Sequence, residues 1–244
     1  MAVLLLRLAG PMQAWGTQSR FSVRDTGLEP SKSGVVGLLC AALGKPRLEA
    51  SGDGMPSLAE LARLRMAVRV DRPGDVLPDY HTAQNVLIAS SPPGKKPKCK
   101  KCELSLRYYL ADADFLVALG GGAPLLNRLD AALANPVWPL FLGRKAFPPT
   151  MPLRAGLTQK DDPVAALRTQ PWWQRTDWDK PQAPLRVLAE SADGTDGDVR
   201  NDVPLNFLSN RRAFTVRRVR DVELWAVPDD LIQRWPPCTS PSSC

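Results

Sequence analysis

The chain has 244 residues, enough to bury a sizeable core in one large domain or two small ones. Hydrophobic residues make up 44% and charged residues 23%, an ordinary globular balance, and no stretch approaches the roughly 20 apolar residues of a membrane span. The 32 Lys and Arg against 25 Asp and Glu give a net charge of +7, which suits a phosphate-bearing partner without requiring one.

The first element is a strand over 3–9, leucine-rich, cut by Arg7 and ended by Gly10 and Pro11. With no basic leader and no small-residue cleavage site, this start is not read as a signal peptide, and a cytoplasmic protein is expected. A loop to Pro30 leads into PSKSGVVGLLCAALG, residues 30–44, which predicts a helix over 34–43 stopped by Gly44 and Pro46. The free N–H groups of its first turn, the charge of Lys32 and the small Ser33 and Gly34 together read as an anion-binding helix start. Neither the Gly-Lys-Ser/Thr of a nucleotide P-loop nor a GxGxxG accompanies it.

A short helix is expected over 58–64, capped by Ser57, and a strand over 66–70. From 73 to 103 the pattern dissolves into Pro, Gly and Lys, a long insertion around any hairpin that it contains. Alternation over 106–110 and the apolar run 115–119 predict further strand, 124–133 an amphipathic helix, and 137–147 a strand ending in the basic turn LGRK. The order strand, helix, strand, insertion, strand, helix, strand is that of an α+β, ferredoxin-like domain over 1–155. A smaller β-rich domain is expected over 156–235, where Trp172, Trp173 and Trp178 cluster with prolines, with strands at 185–190 and 214–227 and a Gly/Asp-rich loop over 191–202. Residues 236–244 read as a disordered tail.

Five constellations could carry chemistry. The lysines at 95, 96, 98, 100 and 101 would attract a phosphate backbone, or equally solubilise a loop. Arg144 and Lys145 leave a strand end through Gly143. Arg211 to Arg220, with Phe214 interleaved, could read a single strand or face a protein partner. Cys99 and Cys102 offer half a zinc site, yet Cys40, Cys238, Cys244 and the lone His81 do not complete it, so the five cysteines are read as reduced thiols and no cofactor is expected. His81 beside Tyr80 could act as a general base, with local hydrogen bonding the more ordinary role. Asp112 and Asp114 are read as structural, and Asp193, Asp196 and Asp198 as a solvated turn.

The blocks LLLRLAGPMQAWG (4–16), PSKSGVVGLLCAALG (30–44), DYHT (79–82), YYLADADFLVAL (108–119), LGRKAFPPTMPL (142–153), RNDVPL and RRAFTVRRV resemble, in this order, the Cas5-type subunits (RAMP superfamily) of type I-E CRISPR Cascade complexes. The resemblance implies a ferredoxin-like RAMP domain whose insertion, about 78–106, is a protruding thumb, in a non-catalytic subunit that grips the 5′ handle of the CRISPR RNA. It further implies backbone subunits and the large subunit as partners, with target DNA met only indirectly. By motif position it assigns handle contacts to Gln13, Trp15, Lys32, Ser33, Gly34, Arg144 and Lys145. Arg107 and the lysines Lys95, Lys96 and Lys98 are added as RNA contacts because they lie on or beside that insertion. Type I-C relatives cut precursor RNA, so a metal-independent endoribonuclease using His81 is the alternative.

Overall fold

A computed structural model describes residues 2–17, 22–48, 54–87, 100–181, 184–191 and 193–235. In chain order the strands are β1 (Ala2–Ala9), β2 (Met12–Gln13), β3 (Val23–Arg24), β4 (Arg65–Arg72), β5 (Asp75–Leu87), β6 (Lys100–Ala111), β7 (Asp114–Gly121), β8 (Arg154–Thr158), β9 (Trp172–Gln174), β10 (Leu185–Glu190), β11 (Asp198–Asn206), β12 (Ala213–Trp225) and β13 (Ile232–Arg234). The helices are α1 (Lys32–Leu43), α2 (Leu58–Ala62), α3 (Ala123–Ala134) and α4 (Pro163–Arg168).

β1 alternates strictly between two buried faces, as a central strand must when both sides are covered. Leu4, Leu6 and Leu8 join Met66, Val68, Phe115 and Val117 beneath α1, α2 and α3, with Val35, Leu39, Leu61, Leu126 and Leu129 packed down on them. Val3 and Leu5 face the other way with Ala67, Leu116 and Ala118, under Ala166 and Leu167 of α4. Each fully buried Leu, Val or Phe contributes about 1.5–3 kcal/mol, so these layers set the frame on which everything else is hung.

Seven antiparallel strands form the main sheet in the order β11-β12-β10-β4-β7-β1-β8. Within it, β1, α1, β4, β7, α3 and β8 trace a βαββαβ path with β4-β7-β1-β8 adjacent, both long helices lying on one face. The sheet does not stop at residue 155. β10 pairs with β4, so β10, β12 and β11 of the 156–235 segment extend the same sheet, while β9 and β13 pair with each other in a separate two-stranded parallel sheet.

Two expected elements moved. The strand expected over 137–147 is a chain of turns, and the closing strand is β8 at Arg154–Thr158. Pro136, Pro139, Pro148 and Pro149 cannot donate to a ladder, while Leu142 and Phe147 are buried as anchors of a loop whose Leu142 N–H bonds back to the Phe147 carbonyl at 2.8 Å. The loop expected over 191–202 gives way at Asp198 to β11, the sheet's outer strand. The insertion is more regular than its composition suggests: β5 and β6 form a long antiparallel hairpin, with β2 and β3 on the far edge of β6. Lys95, Lys96, Lys98, Cys99 and the 236–244 tail lie outside the described residues.

On the α4 face the period-2 alternation carries charges inward. Arg7 pairs with Asp71 and Asp114 at 2.9 Å, Arg72 with Asp114 at 3.1 Å, and Arg69 with Asp71 at 2.6 Å. Buried charges persist only when paired and hydrogen-bonded, and Arg69 also donates to the carbonyls of Leu167, Gln170 and Pro171. Asp114 is therefore structural, as expected, whereas Asp112 faces solvent at a positive φ of 56°.

Candidate nucleic-acid interface

α1 begins two residues before the expected start at 34: Ser31 is the N-cap, its Oγ accepting from the Gly34 N–H at 3.3 Å. The anion at this helix start belongs to the chain itself. The Lys32 N–H donates to Asp202 Oδ2 at 2.8 Å, and the Lys32 Nζ lies 2.7 Å from Glu190. Arg217 closes the circuit, bonding both Asp202 oxygens at 2.6 and 2.8 Å and Glu190 at 2.9 Å. Burial depresses the Lys32 pKa against the pull of Glu190. Burial opposes the Asp202 charge, but the Arg217 bonds and the Lys32 N–H outweigh it and hold the carboxyl below its usual range. Lys32 is thus 4% exposed and committed inward, which corrects its reading as a charge offered to phosphate.

Gln13 and Trp15 are also inward. Gln13 donates to the carbonyls of Leu8 at 2.9 Å and Ala113 at 2.8 Å, and accepts from the Trp15 indole at 3.0 Å. Both are essentially fully buried, so they brace the turn after β1 rather than reach a ligand. A Cβ at position 34 would stand 2.9 Å from the Trp15 ring, which is why glycine is required there.

One turn further along α1 the surface opens. A cleft of about 740 Å³ runs over the face presented by Ser33, Gly34, Gly37 and Ala41, where a Cβ on Gly37 would meet nothing within 4 Å. Three pieces of chain build its walls. Gly44 ends the helix in the left-handed region, φ 70°, and the N–H groups of Val137 and Trp138 bond to the Ala42 and Ala41 carbonyls at 3.0 and 3.2 Å, setting Trp138 on the rim. The LGRK turn crosses the 12–16 segment so closely that a Cβ at Gly143, φ 93°, would lie 1.8 Å from the Ala14 carbonyl oxygen, and this places exposed Lys145 beside the cleft. The connection from β11 to β12 brings Phe207 and Arg212, and the start of β12 brings Phe214.

The result is a trough with aromatic walls and cationic side chains, Lys145, Arg212 and Arg47 among them. Stacking surfaces beside a positive track suit a single-stranded nucleic acid, whose bases are held by π-faces and whose phosphates are held by charge. The structure gathers Ser33, Gly34 and Lys145 along this trough, with Trp15 buried beneath it. Arg144 and Arg107 sit outside it, at the root of the β5–β6 hairpin: Arg144 donates to the Tyr108 carbonyl at 2.8 Å, and Arg107 to Ser105 Oγ at 2.9 Å. Sequence reading missed Trp138 and Phe207, which lie far apart in the chain, whereas Arg212 and Phe214 fall within the Arg211 to Arg220 segment read as a possible single-strand reader or partner face.

His81 lies on β5 with its Nδ1 3.4 Å from Asp79, both about half exposed. Cys40 is a buried thiol and Cys102 an exposed one, and no group of potential metal ligands is found among the described residues. None of the described helices is long and apolar enough to cross a membrane.

Residues 3–220 of the chain match a family described as CRISPR-associated protein (Cas_Cas5); the chain belongs to this family. It is 38% identical over 176 residues to the CRISPR system Cascade subunit CasD of Escherichia coli (strain K12), a match covering 67% of this chain and 75% of that protein. A crystal structure of a Cas protein superposes with a TM-score of 0.71 at 39% identity, over 96% of this chain and all of the other. A chain of a CRISPR RNA-guided surveillance complex gives 0.68 at 37% identity, over 94% and 92%.

Proposed function

We propose that this chain is the Cascade subunit that binds and caps the 5′ handle of CRISPR RNA and scaffolds the neighbouring backbone and large subunits, without cutting RNA itself. The observation that carries the reading is the α1 trough: Trp138, Phe207 and Phe214 offer stacking faces, Lys145 and Arg212 supply charge, and Gly34 and Gly37 keep the helix surface low enough for bases to lie down. Its relatives in a Cascade and in an RNA-guided surveillance complex support the same role. On this reading β1-α1-β4-β7-α3-β8 is the ferredoxin-like RAMP core and the β5–β6 hairpin is its thumb, reaching toward a neighbouring subunit. No histidine lines the trough, so binding rather than general-base cleavage is the chemistry read there.

The test is binding of a labelled single-stranded handle RNA across a salt series. Replacing both Lys145 and Arg212 by Ala lowers the slope of log K against log salt by about 1.4, two phosphates at ~0.7 each for a single strand, with thermal stability unchanged. An unaltered slope contradicts the reading. In EDTA the RNA stays intact; site-specific cleavage lost in His81→Ala would establish the endoribonuclease instead.

A further inference from the structure

On the α4 face of the main sheet, away from the trough, a smaller cavity of about 170 Å³ lies between the start of β8 and the chain joining α4 to β9. Arg7 and Leu116, 3% and 2% exposed, form its base, with Pro152 and Ala155 on one side and Pro171 and Trp173 on the other. Both sides are tied to the sheet. The Arg7 backbone N–H donates to the Leu153 carbonyl at 2.8 Å, Arg69 donates to the Pro171 carbonyl at 2.8 Å, and Arg72 to the Trp173 carbonyl at 2.8 Å. The same buried arginines that hold the sheet together therefore hold the cavity open.

One donor at this base is unspent. Arg7 uses Nη1 on Asp71 and Nη2 on Asp114, at 2.9 Å each, while its Nε is buried without a hydrogen-bond partner among the described residues. Burial works against the Arg7 charge, but Asp114 and Asp71 outweigh it and hold the pKa above its usual value, so the group stays a cation. A buried guanidinium N–H left unmet is costly, and an acceptor arriving in the cavity recovers that cost. Nothing acidic lines the cavity among the described residues: Asp71 and Asp114 are not part of its wall, and the Arg154 guanidinium is committed to Asp130 of α3, both of its bonds being 2.8 Å.

We propose that this cavity is a carboxylate site, in which one short acid enters between Pro152 and Trp173 and accepts the Arg7 Nε–H. Its size sets the ligand. At 170 Å³ it is below the roughly 300–1,000 Å³ of sites for drug-sized molecules, and it suits a carboxyl group on a stem of a few carbons. Pro152, Pro171 and Trp173 meet the stem with apolar surface, and an anion gains the attraction of the buried cation that a neutral carbonyl lacks. An acidic side chain of a neighbouring polypeptide and a free short-chain acid carry this same chemistry. β8 is the outermost strand on this side of the main sheet, which leaves room for a polypeptide to approach. The inference stands apart from the RNA reading, because the trough is built on α1.

The experiment follows the arginine Nε–H signals of the full chain, labelled with ¹⁵N-arginine, as sodium propionate replaces sodium chloride at constant ionic strength. One signal, the one missing in Arg7→Lys, shifts and saturates. Ala155→Phe fills the mouth without touching the buried pairs; it keeps that signal and abolishes its response, and it decides the matter alone should Arg7→Lys fail to fold. A terminally blocked Gly-Glu-Gly peptide moves the same signal at about tenfold lower concentration than its Gly-Gln-Gly counterpart, the margin between an anionic and a neutral acceptor. Saturation by the Glu peptide below the propionate concentration identifies a side-chain carboxylate as the ligand, and the reverse order identifies a free acid; either supports the site. No response beyond that to chloride means that the cavity holds water only and overturns it. So do equal responses to the Glu and Gln peptides, or a response that survives Ala155→Phe.

Discussion

The two halves of α1 carry opposite lessons about charge. At its first residue a lysine, two carboxylates and an arginine meet in a buried circuit, Lys32, Glu190, Asp202 and Arg217, that satisfies itself. One to two turns later, beside Gly37 and Ala41, Lys145 and Arg212 border an open trough. A basic residue in a phosphate-like motif therefore does not mark a ligand site. What marks one is positive charge left over after the fold has paired what it needs.

This contrast can be broken by substitution, and the largest effect is expected at the closed end. Asp202→Ala strips Arg217 and the Lys32 N–H of their shared partner, leaving buried charge uncompensated. A loss of about 3–5 kcal/mol in urea unfolding is expected, since removing one member of a buried pair is far costlier than losing an exposed one. Trp138→Ala acts at the open end, weakening handle RNA binding by about 1–3 kcal/mol, the worth of one base stacked on an aromatic ring, with unfolding little altered.

The glycines of α1 sharpen the comparison along one helix. Gly34→Ala drives a methyl into the Trp15 ring and lowers stability by about 1–3 kcal/mol. Gly37→Leu enters open space and gains about 0.5–1 kcal/mol of helix propensity, yet lowers RNA affinity by filling the trough. A Gly37→Leu chain that binds RNA as before would remove the trough from the account.

The smallest effect is in acid. Asp202 titrates below its unfolded value of about 3.9, so the stability it contributes is complete above that pH and is lost as pH falls through the depressed folded value. Asp202→Asn, though less stable near neutrality, should show a shallower decline below about pH 4. Equal declines would mean that the carboxylate is not the group being titrated.

Much of the frame was legible because its signals are local. Gly44 and the apolar run before it define α1 without reference to the rest of the chain, and Ser57 does the same for the start of α2. The closing strand was misplaced because Leu142 and Phe147 look like strand residues but are two anchors pinning a proline-bounded turn, and only three-dimensional packing separates those cases. The site was harder still. The pairing of Lys32 with Asp202 spans 170 residues, and nothing in the local sequence says that a carboxylate will arrive at that helix start. Of the trough walls, Phe207 and Arg212 arrive on the connection between β11 and β12, which the sheet carries through β10 and β12, whereas Trp138 is set on the rim by the carbonyls at the end of α1, and neither arrangement is written in the local sequence.

The most direct test sets the two lysines against each other. Lys32→Gln and Lys145→Gln are compared for handle RNA binding across a salt series and for urea unfolding. Lys145→Gln should lower the salt slope by about 0.7 with stability unchanged, and Lys32→Gln should lower stability with the slope unchanged. A slope that falls for Lys32→Gln but not for Lys145→Gln would contradict the central claim, because it would mean that RNA meets the charge the fold has enclosed rather than the one it has left open.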